Sequence, residues 1–484
     1  ATTVTWTGTT STNWGTATNW DVGYVPNATD NVVIPNTSNK PIVDTARTTN
    51  NLSITHASAI LDLNSYNLTM TGTFSNIGTL KLQGSETLTG FTNDTDSGTT
   101  LYYGTGTYAA LKAGASYYNL IFNGAGGNWT MDAGTTVANV LTITAGTLAD
   151  AGNAITVGGN WSNAGTYVGT GTVTFNAVSG TQTLTSGGTD TGQDFQNVTK
   201  SGGGTLQFIT NAVDIDGTLT INSGTTVDIN ALNITAGALV NNGTLLADGS
   251  ETMSITTKDT DSGLVKYDGS GNYTTALAYG NTYYDLEFAG SGVWEPNGAV
   301  ITNNNLTITS GTFDIDGQNL TVTGTFSNLG TLRLLGTETL SLTPDTDSGT
   351  ISYDNTAALN DFPSPLNDTY YNVTFAGTGV VALAANLTAT SNVTISSGST
   401  LVLNDFDMNV AGNLVNTGTL TQDADSDINL NGTTQTLSPS NITLGAAVNV
   451  IGSSGTTTVG SNFTISNILT IAAGRTLSLV NYII

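Results

Sequence analysis

Residues 305–342 read NLTITSG, TFDIDGQ, NLTVTG, TFSNLG, TLRLLG and TETLSL. Their apolar members fall in pairs: Leu306 and Ile308, Phe313 and Ile315, Leu320 and Val322, Leu332 and Leu334, Leu340 and Leu342. Each pair is two residues apart, the period of a strand with one buried face. Thr307 and Thr321 lie between such pairs, on the opposite face, where a β-branched polar side chain suits a solvated strand. Gly, Asn, Asp and Ser fill the breaks, where turns need positive φ or side-chain-to-backbone hydrogen bonds. No stretch longer than a turn carries the 3.6-residue period, so the reading is all-β with essentially no helix.

Strand-turn units this short are too numerous for one sandwich. They fit coils of roughly 20 residues with three faces, each stacked on the next. The expected architecture is a single elongated parallel β-solenoid over residues 49–484. At about 4.8 Å per coil, about 22 coils would span about 100 Å. A longer period overlies the coils. DTDSG occurs at 94–98, 259–263 and 345–349, with the variant DADSD at 423–427. A tyrosine pair follows each of the first three: Tyr117-Tyr118, Tyr283-Tyr284 and Tyr370-Tyr371. Residues 71–88 and 323–340 match almost letter for letter. The super-repeat is roughly 80 to 90 residues, or about four coils.

The strings NLTITSGT (305–312), NLTVTGTFSN (319–328) and GTVTF (171–175) resemble the parallel β-helices of secreted prokaryotic surface proteins. That group includes filamentous-haemagglutinin-like exoproteins, autotransporter passengers and giant repeat adhesins. The resemblance implies a right-handed coil and an extracellular setting. For function it points several ways, because the group contains adhesins, fibres and enzymes.

Composition narrows those ways. The chain of 484 residues has 9 Lys and Arg against 35 Asp and Glu, a formal net charge of −26. Charged residues make up only 9 %, and Thr is nearly a fifth of the chain. Polarity therefore comes from small neutral side chains. Nucleic acid needs clustered Lys and Arg, and the basic residues here are few and scattered. Membrane insertion is excluded for helices, since no run of about 18 apolar residues occurs. There is no Cys, so thiol chemistry and thiolate metal sites are absent. The start at Ala1 suits a mature secreted chain or a fragment.

Residues 1–48 differ from the coils. They carry Trp6, Trp14 and Trp20, half of the six Trp. An aromatic-rich entry segment suits a cap over the first coil. The competing reading has Trp14 and Trp20 stacking on glycans. At the other end the chain closes on TLSLVNYII without a polar cap. An open solenoid end is a template for pairing with another chain. The expected joint is head-to-tail, with Leu477, Leu479, Val480, Ile483 and Ile484 of one copy meeting Val4 and Trp6 of the next. A heterologous contact that does not close gives a filament.

Candidate chemistry is thin. Asp-x-Asp followed by Gly resembles the opening of a calcium loop. Asp94 with Asp96, Asp259 with Asp261, Asp345 with Asp347 and Asp423 with Asp425 are the candidate Ca2+ ligands. The later bidentate Glu of an EF-hand is missing, and turns want Asp in any case. A glycan hydrolase would need a carboxylate pair such as Asp94 and Asp96 or Asp214 and Asp216 in a cleft. A Ser-His-Asp set would need His56, the sole His. The balance favours a protein that is not an enzyme. About twenty N-x-[ST] sequons occur against about fifteen expected from composition, too small an excess to establish glycosylation. The expected function is an extracellular structural protein, a subunit of a fibre, sheath or array partnered by itself. A glycan-binding adhesin is the alternative, and a polysaccharide-cleaving enzyme comes third.

Overall fold

A computed structural model describes residues 1–362, 366, 368–422, 425–440 and 442–484. The chain is all-β: parallel strands stack as a β-solenoid of about 22 turns. Among the described residues the one helical element is the 3-10 turn Ala17–Asn19. The chain divides into two compact units, one of residues 1–246 and 251–259, the other of 247–250 and 260–484.

In the first unit a sheet of eight strands runs from Ser116–Tyr117 to Met253–Thr257. Thr3–Thr5 and Asn31–Ile34, from the tryptophan-rich segment, pair in parallel with each other and then with Leu52–Ile54 and Phe74–Asn76. In the second unit a sheet of eleven strands runs from Asn272–Tyr273 to Arg475–Ser478. Every pairing between these strands is parallel, and register keeps like with like. Leu286 meets Leu306, which meets Phe326; Glu287 meets Thr307, which meets Ser327. Apolar side chains therefore stack on apolar ones inside, and polar on polar outside. Burial follows the alternation: Leu306 and Ile308 are fully buried, Thr307 is not. A strand slipped by one residue would turn its apolar face outward.

Asparagine ties one coil to the next at the corners. Asn67, Asn233, Asn305 and Asn319 each precede a strand. The Oδ1 of each accepts the backbone N–H of a threonine one coil on: Thr87 (2.8 Å), Thr252 (2.8 Å), Thr325 (2.9 Å) and Thr339 (2.8 Å). An outward Thr stands two residues after each of these asparagines. Asn-x-Thr is thus a by-product of coil geometry, which accounts for sequons in excess of composition.

A second asparagine is turned inward. Asn76, Asn163, Asn241, Asn328 and Asn416 close a strand in each super-repeat and are almost fully buried. They recur every 78 to 88 residues. In Asn163 and Asn416 the Oδ1 accepts the N–H of the glycine two residues on, at 3.0 Å in both. Their Nδ2 atoms donate to Ser186 O (3.2 Å) and Pro439 O (3.3 Å). A buried amide is tolerated when both its ends are bonded. Replacing Asn416 by Ala strands those backbone groups in an apolar corner. The expected cost is about 1–3 kcal/mol, read as a lower urea midpoint of the N416A chain.

Candidate functional site

The DTDSG turns have the most repeated polar geometry. Asp94 Oδ2 accepts the N–H of Asn76 on the preceding coil (2.7 Å), and its Oδ1 accepts the N–H of Asp96 (3.1 Å). Asp345 repeats this with Asn328 (2.7 Å) and Asp347 (3.1 Å). Asp259 takes the N–H of Asn241 (2.7 Å) in the same way. The first Asp of each motif is therefore a clamp between coils. Burial pushes the Asp94 and Asp345 carboxyls up, but hydrogen bonds from these amides and from the neighbouring aspartate and serine outweigh it, and both end below the ordinary carboxylate value. The final glycine of the motif is compelled. Gly98 and Gly349 have φ of +73° and +65°, and a Cβ on either would stand 2.2 Å from the carbonyl oxygen of Asn76 or Asn328.

The second Asp of the motif behaves differently. Asp96 and Asp347 are exposed, and their contacts are local: Ser97 Oγ donates to Asp96 (3.2 Å), and each faces its own first aspartate. Asp425 is likewise exposed, while Asp423 lies outside the described residues. Among the described residues no group of three or more His, Cys, Asp or Glu gathers as for a metal ion.

The tryptophans are placed against the glycan reading. Trp14 and Trp20 are 1 % and 2 % exposed. Trp20 packs edge-on against Trp14 and Trp6, with ring centroids 4.7 and 5.0 Å apart, and its Nε1 donates to Trp14 O (2.8 Å). Indoles with this much apolar area fill the core before they line a surface, so neither offers a face to a sugar. Val4 and Trp6, expected at a polymer joint, are also fully buried. At the other end Leu479, Val480 and Ile483 are exposed, with Ile483 at 72 %, while Leu477 and Ile484 are partly covered.

The tyrosine pairs split as their alternation predicts. Tyr117, Tyr283 and Tyr370 point inward, and Tyr118, Tyr284 and Tyr371 are half-buried outside. Inside, hydroxyl meets hydroxyl: Tyr102 with Tyr117 (3.2 Å), Tyr267 with Tyr283 (3.3 Å), Tyr353 with Tyr370 (2.9 Å). Of the other carboxylates, Asp214 is pushed up by burial and by Asp216 and Asp194. His56 is exposed, its Nδ1 accepting the N–H of Ser58 (3.0 Å).

Sequence reading missed the buried carboxylates. Glu86 accepts the N–H groups of Gln83 (2.7 Å), Gly84 (2.7 Å) and, one coil back, Ser65 (3.1 Å). Glu338 does the same for Gly336 (2.7 Å) and Gly317 (3.1 Å). Asp150 is fully buried and takes Tyr167 Oη (2.7 Å) and the amides of Gly152 (2.9 Å), Thr170 (2.9 Å) and Gly171 (3.0 Å). The signal was present, since S/T-E-T recurs within the near-identical segments 71–88 and 323–340.

The family described as a domain of unknown function (DUF8693) matches residues 5–110. No curated protein matches the chain, and no solved structure does.

Asp150 contributes to the acid response. Burial raises the Asp150 carboxyl, yet bonds from Tyr167, Gly152, Thr170 and Gly171 bring it below its ordinary value. A depressed folded pKa gives stability that is present above the unfolded value of about 3.9 and is lost as pH falls through the folded one. The melting temperature is therefore expected to hold at neutral pH and to fall as pH drops below about 4. In the D150N chain the pH 7 midpoint is expected to fall most and the acid slope to flatten. Both are read by circular dichroism from pH 7 to pH 2.

Proposed function

We propose that the protein is an extracellular structural solenoid, a subunit of a cell-surface fibre, sheath or array. What carries this reading is the parallel stacking within each unit, with a sheet of eight strands in the first and of eleven in the second, and corners clamped by asparagine and aspartate. A continuous ladder of this kind resists bending and leaves proteases few accessible loops. The threonine and asparagine skin keeps it hydrated with little charge. The negative surplus limits unspecific clumping. The fold occurs in enzymes as well as in structural proteins.

Self-association is the proposed mode of assembly. Arg475–Ser478 pairs in parallel with Gly455–Val459. In the same part of the sequence Ile468, Ile471, Val480 and Ile483 are 62 %, 46 %, 67 % and 72 % exposed. Exposed apolar side chains of this kind favour contact with a second copy of the chain. Negative-stain microscopy and sedimentation are expected to show concentration-dependent filaments. The I468K/I471K/I483K chain, still folded by circular dichroism, is expected to remain single particles; filaments from it would end the proposal.

Calcium belongs to the proposal as a counter-ion at the paired carboxylates, which repel each other when both are ionised. Millimolar calcium is expected to raise the melting temperature, an effect reversed by EDTA and reduced in D96N/D347N. An unchanged midpoint removes calcium from the reading.

A further inference from the structure

Strands pair in parallel along the solenoid, and among the described residues one bridge breaks the rule: Trp6 and Trp20 face each other in antiparallel sense. That bridge adjoins Thr3–Thr5, the terminal strand of its sheet. Along a strand, successive residues turn their backbone groups to opposite sides. Thr2 O and Trp6 N are bonded to the next strand, at Asn31 N (2.8 Å) and Val33 O (2.9 Å). Thr5 and Thr7 therefore face the other way, along the edge where a further coil would stack.

We propose that the return of residues 19–21 is an edge guard, an autoinhibitory contact that denies this edge to a parallel strand of a second copy. The inference concerns one edge of one sheet, and it stands whether or not copies meet elsewhere.

Asp21 is the pin of the guard. Its N–H donates to Thr5 O (3.0 Å), and its Oδ1 accepts the N–H of Thr5 (2.8 Å). One residue thus takes both backbone groups of Thr5. Thr7 N and Thr7 Oγ1 both donate to Asn19 O, each at 2.8 Å. A row of unpaired N–H and C=O groups is what makes an edge strand a template, and from Thr5 to Thr7 that row is spent. Covering the apolar end would not achieve this alone, because rings can bury Val4 and Trp6 while the amides beside them stay open. Asp21 is also exposed, and a charge on an edge is a second deterrent to pairing.

The return is held from beneath. Asn19 is fully buried, and its Oδ1 accepts the N–H groups of Thr10 and Ser11, both at 2.9 Å. Its Nδ2 donates to Ser11 Oγ (3.0 Å) and Asn13 O (2.8 Å). Trp6 Nε1 donates to Asn39 O (2.7 Å), and Asn39 Nδ2 donates back to Gly8 O (2.7 Å). The guard is therefore tied to its own loop and to the segment after the second strand.

The test uses the full I468K/I471K/I483K chain as parent, so that filaments formed through those isoleucines do not enter. In the parent the Thr5 and Thr7 amides are expected to be protected in hydrogen exchange, and sedimentation to give single particles. Adding N19A/D21A is expected to speed exchange at both amides about tenfold, as loss of a hydrogen bond does, and to give concentration-dependent oligomers. Adding T5P to that chain is expected to abolish them, since proline has no N–H to offer an incoming strand. D21A alone, at an exposed residue, covers the case in which N19A misfolds by circular dichroism. Oligomers of N19A/D21A that survive T5P overturn the proposal, as do T5P-sensitive oligomers already present in the parent. So do single particles from a folded chain whose Thr5 and Thr7 amides exchange freely, and amides that stay protected in both folded variants.

Discussion

The structure depends on one constraint: each coil must satisfy its backbone on the coil before and the coil after. Strands meet this through their ladders, but corners have no ladder. There the N–H and C=O groups turn away from one another, and a stack of coils repeats the shortfall at every turn. Side chains make up the difference. Asn67, Asn233, Asn305 and Asn319 each reach one coil forward to a threonine amide. Asp94, Asp259 and Asp345 reach one coil back to an asparagine amide. Glu86, Glu338 and Asp150 collect several amides each where the corner is deeply buried. Leaving such a group unbonded costs about 1–3 kcal/mol, and a solenoid repeats its corners at every coil.

This explains the composition. Threonine is abundant because stacked outward positions are about 4.8 Å apart, where like charges repel and β-branched neutral groups do not. Asparagine is abundant because it both accepts and donates, at corners and also on strand faces, where Asn409, Asn429 and Asn449 form a ladder with Nδ2 to Oδ1 distances of 3.0 Å. Acidic residues exceed basic ones partly because carboxylates are the better clamp for amides. Asp62, Asp314 and Glu287 instead pair with Lys81, Arg333 and Lys266 across neighbouring coils. Much of the acidic surplus is thus bonded to backbone. Asp96 and Asp347, the second aspartates of two DTD turns, are among the exposed acidic residues.

Much of the fold was legible in sequence. Leu306 with Ile308 and Leu320 with Val322 announced strands by spacing alone, and the recurrence of DTDSG and the tyrosine pairs announced stacking. The candidate site was less legible. An Asp-x-Asp pair reads as two equivalent carboxylates, yet Asp94 and Asp96 do different work, because only Asp94 lies under the amide of Asn76. Trp14 and Trp20 read equally well as cap or as glycan platform, and their mutual edge-on packing decides for the core. A side chain's partner one coil away is about 20 residues distant in sequence, beyond the reach of any local pattern.

By itself, the sequence determined period, coil length and repeat, since these follow from which residues can alternate and which can turn. It also determined the poverty of basic charge and the absence of thiols. Only the tertiary structure decided which of two identical side chains clamps the neighbouring coil and which keeps to its own turn, and which aromatic rings meet water. The reason is physical. Alternation fixes the face of a residue along one strand, but the groups that satisfy it belong to the neighbouring coil, and they come within reach only when the coils stack.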